Sequence, residues 1–326
     1  MERRKLGNSE LSVTPIGIGT WAIGGGDNPY GWGSQDDKDS IAAIRRGLEL
    51  GVNWIDTAAG YGHGHSEEVI GQAIAGRRDE VIIATKCGIL WQEDGSDIFG
   101  CMEAASIKRE VENSLRRLKV DVIDLWQIHW PLPDEGIEEG WGAVADVIKE
   151  GKVRYGGVSN FSVEQLKRIM PIHPVTSLQP PFSMLLRDTE KELLPFCAEN
   201  DIGVVVYSPM QAGLLTGKMT RERVAAFPED DWRKGNSLFQ EPQLSINLDL
   251  VEKVRPIAQR AGRPVSQLAI AWVLRRPEVT SAIVGARRPS QIEETAGAAE
   301  WKLSAEEIAE IDKLLAEREE ALAELA

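Results

Sequence analysis

The chain has 326 residues, of which 42% are hydrophobic and 27% are charged, and its formal net charge is −14 at pH 7. Such a composition is typical of a globular protein with a sizeable core, and the acidic balance disfavours nucleic-acid binding, which requires a basic surface. Three cysteines show no disulfide or zinc spacing, and no stretch approaches the ~18 apolar residues of a membrane span. We therefore expect a cytoplasmic protein without a membrane or nucleic-acid partner.

Short apolar runs alternate with helix-like segments along the chain. After a predicted β-hairpin around Gly7-Asn8, these runs fall near residues 15–19, 53–57, 81–85, 122–129, 153–158, 175–179, 203–208 and 280–285. Between them, apolar residues recur at spacings of three and four, which predicts helices such as the one carrying Ile107, Val111, Leu115 and Leu118. Gly51, Gly151 and Gly203 lie where a helix would end before the next strand.

Eight such strand–helix units predict a (β/α)8 TIM barrel, whereas an open doubly wound sheet more often has about six strands. No linker divides the chain, so we expect a single domain over residues 1–326. Residues 209–247 have weak periodicity and are rich in Gly, Pro and charge, which predicts a long loop over the mouth of the barrel after strand seven.

Two glycine motifs are similar to phosphate-binding loops but lack their context. The motif Gly17–Ala22 fits the dinucleotide-binding pattern, yet the segment Gly24–Pro29 after it is too rich in Gly and Pro to begin the required helix. Gly213–Lys218 is one residue short of a P-loop, and Met219 stands where a magnesium-binding hydroxyl would be needed. His63 and His65 have no evident third ligand, so no metal is predicted.

Polar side chains end three consecutive predicted strands: Asp56, Lys86 and His129. In a (β/α)8 barrel, the carboxyl ends of the strands converge on one face, where active sites are built. Tyr61 follows Asp56 by five residues in a glycine-rich segment and can reach the same face. An acid, a phenol, an amine and an imidazole together predict a proton-transfer site, and therefore an enzyme.

Several motifs in chain order resemble the aldo-keto reductase family over nearly the full length. They are Trp54–Gly62 followed by Ser66-Glu67, Ile83–Lys86, Leu125–His129, Gly157–Phe161, Tyr207–Pro209 and Val284–Pro289. The segment Thr85–Gly88 and the long loop after strand seven are more similar to the bacterial and potassium-channel-subunit branches. The resemblance implies an NADPH-dependent reductase of aldehydes or ketones on a barrel fold.

The four polar residues suit carbonyl reduction, in which the substrate oxygen gains negative charge and needs a proton. Tyr61 is the expected proton donor, although a free phenol titrates near pH ~10. We expect the Lys86 ammonium to lower the pKa of Tyr61, and Asp56 to hold Lys86 in place. His129 is expected to orient the substrate oxygen.

The resemblance also implies a set of cofactor-binding residues. Ser159, Asn160 and Gln179 would hold the nicotinamide carboxamide, and Tyr207 would stack on its ring. The full set is Gly19, Thr20, Trp21, Asp56, Ser159, Asn160, Gln179, Tyr207, Ser208, Pro209, Met210, Gly213, Leu215, Gly217, Lys218, Gly285, Ala286, Arg287, Gln291, Glu294 and Thr295. Residues 208–218 would wrap the pyrophosphate, and residues 285–295 would cover the adenosine.

This chain departs from the common family pattern at Thr295, where Asn often contacts adenine, and at Gly285, where the aldose-reductase branch has Lys. Arg287 and Arg288 are therefore the residues expected to bind a 2′-phosphate, because a guanidinium can bind phosphate through two hydrogen bonds. No acidic residue stands in Val284–Pro289 to bind a free ribose hydroxyl, so NADPH is the expected cofactor.

The substrate class follows less directly from the residues. Trp21, Trp91 and Trp130 follow predicted strand ends and, with Tyr61 and His129, would form an apolar pocket for a small carbonyl compound. Two other interpretations stay open. One is an NADPH-binding regulatory subunit that senses redox state with slow turnover, and the other is a barrel that binds ligand without redox chemistry.

Overall fold

The computed structural model describes residues 1–26, 31–92, 97–229 and 231–325. Its strands are β1 (Arg4–Lys5), β2 (Ser12–Val13), β3 (Ile16–Gly19), β4 (Trp54–Asp56), β5 (Ile82–Cys87), β6 (Ile89–Trp91), β7 (Ile98–Gly100), β8 (Ile123–Ile128), β9 (Val153–Ser159), β10 (Ser177–Gln179), β11 (Gly203–Val206) and β12 (Val279–Gly285). Its helices are α1 (Asp37–Glu49), α2 (His65–Ala73), α3 (Ala104–Leu118), α4 (Ile137–Lys149), α5 (Val163–Ile169), α6 (Leu193–Glu199), α7 (Arg221–Ala225), α8 (Gln243–Arg260), α9 (Val265–Leu274), α10 (Pro289–Ala296) and α11 (Ala305–Ala323).

Eight parallel strands close into a barrel in the order β10-β11-β12-β3-β4-β5-β8-β9. Each of the eight predicted apolar runs overlaps one of these strands, so the (β/α)8 barrel is confirmed. The predicted N-terminal hairpin is also present, since β1 pairs antiparallel with β2, with Arg4 opposite Val13. A second hairpin, β6 with β7, follows β5 and was not predicted.

Alternation along the strands divides the barrel interior into two layers. The lower layer is apolar and packs against the N-terminal hairpin; its members are Trp54, Ala84, Leu125, Val205 and Ile283. The next inward positions on the same strands, toward their carboxyl ends, carry polar groups, which include Asp56, Lys86 and Gln127. The apolar layer therefore closes the floor beneath a polar layer at the mouth.

The glycines at helix ends are only partly as predicted. Gly51 and Gly151 follow α1 and α4 with positive φ angles of 88° and 77°, which a residue without Cβ adopts readily. Gly203 was wrongly placed there, because it lies inside β11 while Asp201 takes the positive φ of 53° after α6. A Cβ at Gly203 would stand 2.7 Å from the amide nitrogen of Gly7, so close packing against the hairpin requires this glycine.

The predicted loop over residues 209–247 is more ordered than expected. It holds a 3-10 stretch at Gln211–Thr216, helix α7, two further 3-10 turns, and the first residues of α8, which begins at Gln243. Each of these pieces is too short to show a periodic apolar pattern. The predicted long segment does follow the seventh barrel strand, β11, and it carries these short helical pieces.

The glycine motif at Gly17 serves packing. Gly17 lies in β3, and only one 3-10 turn, Trp21–Ile23, follows the strand; Asp27–Pro29 lie outside the described residues. A Cβ at Gly17 would overlap the indole ring of Trp54 inside the barrel. The motif thus makes room for a core side chain.

We expect Gly17→Ala to lower the free energy of unfolding by about 1–3 kcal/mol, because the core would be overpacked. Gly142→Ala is the matched control, since Gly142 lies in α4 and an added Cβ would meet no atom within 4 Å. That change should be neutral or stabilising by up to about 1 kcal/mol. Urea denaturation of both variants measures the difference, and equal effects would show that the overlap with Trp54 is relieved without cost.

Candidate active site

The four predicted polar residues meet at the carboxyl ends of the barrel strands. Asp56 ends β4, Lys86 lies near the end of β5, and His129 directly follows β8. Lys86 Nζ donates to Asp56 Oδ2 at 2.7 Å and to the Thr57 carbonyl at 2.8 Å, and it lies 3.2 Å from the Tyr61 hydroxyl. The Tyr61 and His129 rings meet edge to face, with their centroids 5.7 Å apart.

Lys86 is a buried charge with three oxygen partners. Its side chain has no exposed surface, and that of Asp56 is 4% exposed. Burial alone lowers the pKa of a lysine, but the charge of Asp56 and the hydrogen bonds to Asp56 and Tyr61 outweigh it, so the pKa of Lys86 is raised. The group is therefore an ammonium at neutral pH, and an ion pair this well hydrogen-bonded tolerates its removal from water.

The pKa of Tyr61 depends on burial as well as on the neighbouring charges. Removal of the phenol from bulk water raises its pKa, and although Lys86 lowers it, Asp56 raises it again, so the net shift is upward. Lys86 thus lowers the pKa as predicted, but burial exceeds its effect. Tyr61 is therefore protonated at neutral pH and can act as an acid beside a fixed cation that stabilises the phenolate it leaves.

His129 is a neutral imidazole. Burial holds its pKa well below the usual value, and the positive charge of Lys86 lowers it further. Its backbone amide donates to the Cys87 carbonyl at 2.9 Å, which fixes the residue against the end of β5. A neutral ring offers one N–H donor toward a ligand oxygen at the mouth.

Two glutamines complete the surroundings of Asp56. Gln179 Nε2 donates to Asp56 Oδ1 at 2.7 Å and lies 3.4 Å from Gln127 Oε1. Gln127 Nε2 also faces Asp56 Oδ1, at 3.4 Å. Gln179 was predicted as a cofactor residue, whereas Gln127 was not singled out, although its place two residues before His129 puts both side chains on one side of the strand.

A chain of hydrogen bonds continues from Gln179 to Tyr207. Ser159 Oγ donates to the Gln179 carbonyl at 2.9 Å, and Asn160 Nδ2 donates to Ser159 Oγ at 3.0 Å. Asn160 also donates to the His129 carbonyl at 3.0 Å, and its Oδ1 accepts from the Tyr207 hydroxyl at 2.8 Å. The four predicted nicotinamide residues are therefore joined to one another and to the catalytic candidates.

The backbone after β11 takes up unusual conformations where the pyrophosphate residues were predicted. Ser208, Gln211 and Ala212 have positive φ angles of 54°, 46° and 50°, which are costly for residues with a Cβ. Gly213 and Gly217 also have positive φ. Such a run of turns can direct several amide N–H groups to one point, as anion-binding loops do. Of the other residues predicted here, Pro209 and Met210 lie in the turn and Leu215 is buried in the core.

The predicted adenosine residues are largely engaged with one another. Lys218 Nζ pairs with Glu294 Oε2 at 2.6 Å, which ties the loop after β11 to α10. Gln291 Oε1 accepts from the Arg287 amide at 2.8 Å and thereby caps α10. The Thr295 hydroxyl donates to the Gln291 carbonyl within its own helix. Gly285 and Ala286 link β12 to these residues.

Arg287 is held by a loop that was not predicted to be near it. Its guanidinium donates to Gln35 Oε1 at 2.5 Å, to the Trp32 carbonyl at 3.2 Å, and to the Ser34 carbonyl. Burial lowers the pKa of Arg287, and the charges of Arg288 and Arg233 lower it further. Positive charge is thus concentrated beside the N-terminus of α10, a favourable place for an anion.

Of the three tryptophans predicted as pocket walls, Trp21 contacts Trp32 and Trp232, with centroids 5.3 Å and 5.2 Å away. Trp91, on β6, stacks on His63 at 5.2 Å. Trp130 follows β8 and is 42% exposed. They lie in separate segments that follow three different barrel strands, β3, β5 and β8. Gly19 and Thr20 precede Trp21, and the Thr20 amide donates to the Asp56 carbonyl at 3.1 Å.

A cavity of about 580 Å³ lies at the opposite end of the barrel, between the N-terminal hairpin and the starts of β5 and β8. Its buried carboxylate, Asp124, is already bonded to Arg78 at 2.7 Å and to Arg154 at 2.9 Å. Because catalytic groups of such barrels lie at the carboxyl ends of the strands, we place the active site at the other mouth.

Within the described ranges, no three His, Cys, Asp or Glu side chains form a metal-binding group. No helix of residues 1–26, 31–92, 97–229 and 231–325 is long and apolar enough to cross a membrane.

Comparison with known proteins agrees with this arrangement. The model of the aldo/keto reductase family matches residues 15–316. Aldo-keto reductase YhdN of Bacillus subtilis is 40% identical over 97% of this chain and 94% of its own length. The NADH-specific methylglyoxal reductase of Escherichia coli is 34% identical over 93% and 95%, respectively. The glycerol dehydrogenase AKR11B4 from Gluconobacter oxydans superposes with a TM-score of 0.89 at 36% identity, covering 97% of this chain and 96% of the other. The chain therefore belongs to the aldo/keto reductase family and is an oxidoreductase built on a (β/α)8 barrel.

Proposed function

We propose that this protein reduces small aldehydes or ketones to alcohols with NADPH, as one domain over residues 1–326, with Tyr61 as the proton donor. The observation that carries the proposal is the contact of the Tyr61 hydroxyl with Lys86 Nζ, at 3.2 Å, while Lys86 is itself held 2.7 Å from Asp56. A protonated phenol beside a fixed buried cation is an acid prepared to give up its proton.

Each of the four residues has a separate role in the proposed reaction. NADPH, when bound, supplies a hydride for the carbonyl carbon. Tyr61 gives its proton to the carbonyl oxygen, and Lys86 stabilises the phenolate that remains. The neutral His129 donates a hydrogen bond to the same oxygen and orients it toward Tyr61. Asp56 keeps Lys86 in place. In total, the substrate gains one proton, from Tyr61, and one hydride, from NADPH.

The cofactor is proposed to lie along the strained backbone after β11. Ser159, Asn160 and Gln179 would hold the carboxamide, and Tyr207 would face the nicotinamide ring. The turns of residues 208–217, five of which have positive φ, would surround the pyrophosphate. The amides of Gln211, Gly213 and Leu215 already donate to carbonyls of this segment, so other amides of the segment would hold the anion. The adenosine would lie against α10 near Glu294.

The preference for NADPH is proposed from Arg287, with Arg288 and Arg233 close enough to affect its pKa. One relative, the methylglyoxal reductase, is NADH-specific, so family membership leaves this choice to the residues at the adenosine end. Only a cation there can favour the additional 2′-phosphate.

The substrate is proposed to be a small carbonyl compound. Two relatives are named for methylglyoxal and glycerol, which are small and carry oxygen on neighbouring carbons. Trp21, Trp91 and Trp130 offer apolar surface around the mouth for the substrate body. Steady-state turnover of a panel of aldehydes and ketones with NADPH tests the proposal, and NADPH binding without turnover of any of them would favour a regulatory subunit.

We expect Arg287→Ala to weaken NADPH binding by about 1.5–3 kcal/mol, the range for a hydrogen bond to a charged group, and to leave NADH binding nearly unchanged. Fluorescence titration of both cofactors measures this. Gln35→Leu is the control, because it removes a partner of the Arg287 side chain while the guanidinium stays. Equal losses of both cofactors in Arg287→Ala, or tighter NADH than NADPH binding by the wild type, would contradict the assignment.

A further inference from the structure

Gln127 is a fully buried amide whose purpose the four catalytic residues do not explain. It lies on β8, pairs across the sheet with Lys86 on one side and Gly157 on the other, and has no exposed surface. A buried amide is costly unless its hydrogen bonds are made. Its partners, Asp56 and Gln179, belong to the ion pair and to the proposed nicotinamide site.

The charge of Asp56 determines which way both glutamine amides face. A carboxylate accepts hydrogen bonds and cannot donate them, so Gln179 must present its NH2 group to Asp56 Oδ1 at 2.7 Å. Gln127 must do the same, which leaves its Oε1 to accept the second hydrogen of Gln179 Nε2 at 3.4 Å. Both hydrogens of the Gln179 amide are then used, and its Oε1 has no partner among the residues that the structure describes.

The barrel makes room for this arrangement. A Cβ at Gly157 would stand 3.2 Å from Gln127 Cγ and would overlap the Ser177 hydroxyl. Ser177 itself is buried in the same layer without a hydrogen-bond partner among the described residues. The Gln127 amide and the Ser177 hydroxyl are therefore buried side by side, but only the Gln127 amide is hydrogen-bonded to Gln179.

We propose that Gln127 is a positioning residue that fixes the amide plane of Gln179, so that Gln179 Oε1 accepts a hydrogen bond from the NH2 group of the nicotinamide carboxamide. The terminal torsion of a glutamine is soft, and one bond to Asp56 leaves the amide free to turn about it. The second bond, to Gln127, removes that freedom. This inference rests on the proposed function, because it takes the nicotinamide to lie at Gln179.

The test uses a probe that lacks the donor. In the reduced 3-acetylpyridine analogues of NADPH and NADH, an acetyl group replaces the carboxamide, so the carbonyl is kept and the NH2 is lost. We expect Gln127→Met to weaken NADPH and NADH binding by about three- to tenfold, the range of one ordinary hydrogen bond, and the analogues by less than about twofold. Gln127→Asn, which keeps an amide that is one methylene too short, should do the same if the Met variant folds poorly.

Ser177→Ala is the matched control, since it changes a buried polar group near Gln127 whose hydroxyl makes no hydrogen bond to Gln179 or to any other described residue. It should leave all four affinities within about twofold of the wild type, while in a Gln179→Leu background Gln127→Met should have no further effect. If Gln179→Leu weakens the natural cofactors selectively but Gln127→Met behaves like Ser177→Ala, the inference is overturned and the proposed function stands. If Gln179→Leu leaves every affinity unchanged, the nicotinamide does not lie there, and both assignments fail.

Discussion

Tyr61→Phe is expected to lower kcat by about 10²–10⁴-fold, the usual contribution of a positioned acid, and to leave NADPH affinity nearly intact. The substitution removes one oxygen, which lies 3.2 Å from Lys86 Nζ, and keeps the ring that packs edge to face on His129. The loss of kcat therefore measures the contribution of the Tyr61 hydroxyl proton, because the packing of the ring is unchanged.

Steady-state kinetics with an aldehyde and fluorescence titration of NADPH measure the two effects separately. Tyr155→Phe is the control, because that hydroxyl lies at the other end of the barrel, where it accepts from the Glu10 amide at 3.2 Å. It should keep wild-type kcat. Wild-type kcat in Tyr61→Phe would remove Tyr61 from the mechanism.

The pH dependence of kcat/KM, which reports ionisation of the free enzyme, follows from the same geometry. The pKa of Tyr61 is raised above its ordinary value, mainly through burial, so in the free enzyme the phenol stays protonated throughout the neutral range. The reduction should then lose activity only on the alkaline side, where the phenol itself ionises. A positioned acid with a lowered pKa would instead lose activity as the pH rises through the neutral range.

The meeting of the polar side chains at the mouth could be predicted because their signal is local. Asp56, Lys86 and His129 each end an apolar run, and parallel barrel strands bring such ends together whatever the loops do. The β6–β7 hairpin could not be predicted in this way, since each of its strands has three residues and offers no alternation to detect.

The remaining site features depend on contacts between distant parts of the chain. Gln35 and Arg287 are separated by 252 residues, and neither sequence neighbourhood indicates the other. The net direction of the Tyr61 pKa shift could not be predicted, for a related reason. The sequence shows the charged partner, Lys86, but the burial that outweighs it arises only from packing.

Lys86→Met is the second substitution with a large expected effect. It removes the cation that we propose stabilises the Tyr61 phenolate, and it leaves the buried Asp56 with two amide donors and no counter-charge. We expect kcat to fall by about 10²–10⁴-fold, as for the loss of the acid itself. Breaking a buried ion pair also costs about 3–5 kcal/mol of unfolding free energy, so urea denaturation must accompany the kinetics and assays must be run where the variant is folded.

Asp56→Asn provides the comparison, because it keeps the ammonium and removes only the charge that holds it. Lys86 Nζ would still donate to the Thr57 carbonyl at 2.8 Å, and an Asn oxygen could accept in place of the carboxylate. The expected loss in kcat is therefore smaller than in Lys86→Met. The order of the two losses in kcat is the test. If Asp56→Asn lowered kcat more than Lys86→Met at equal folded fraction, the carboxylate would act on the reaction directly. Lys86 could then not be the group that stabilises the phenolate.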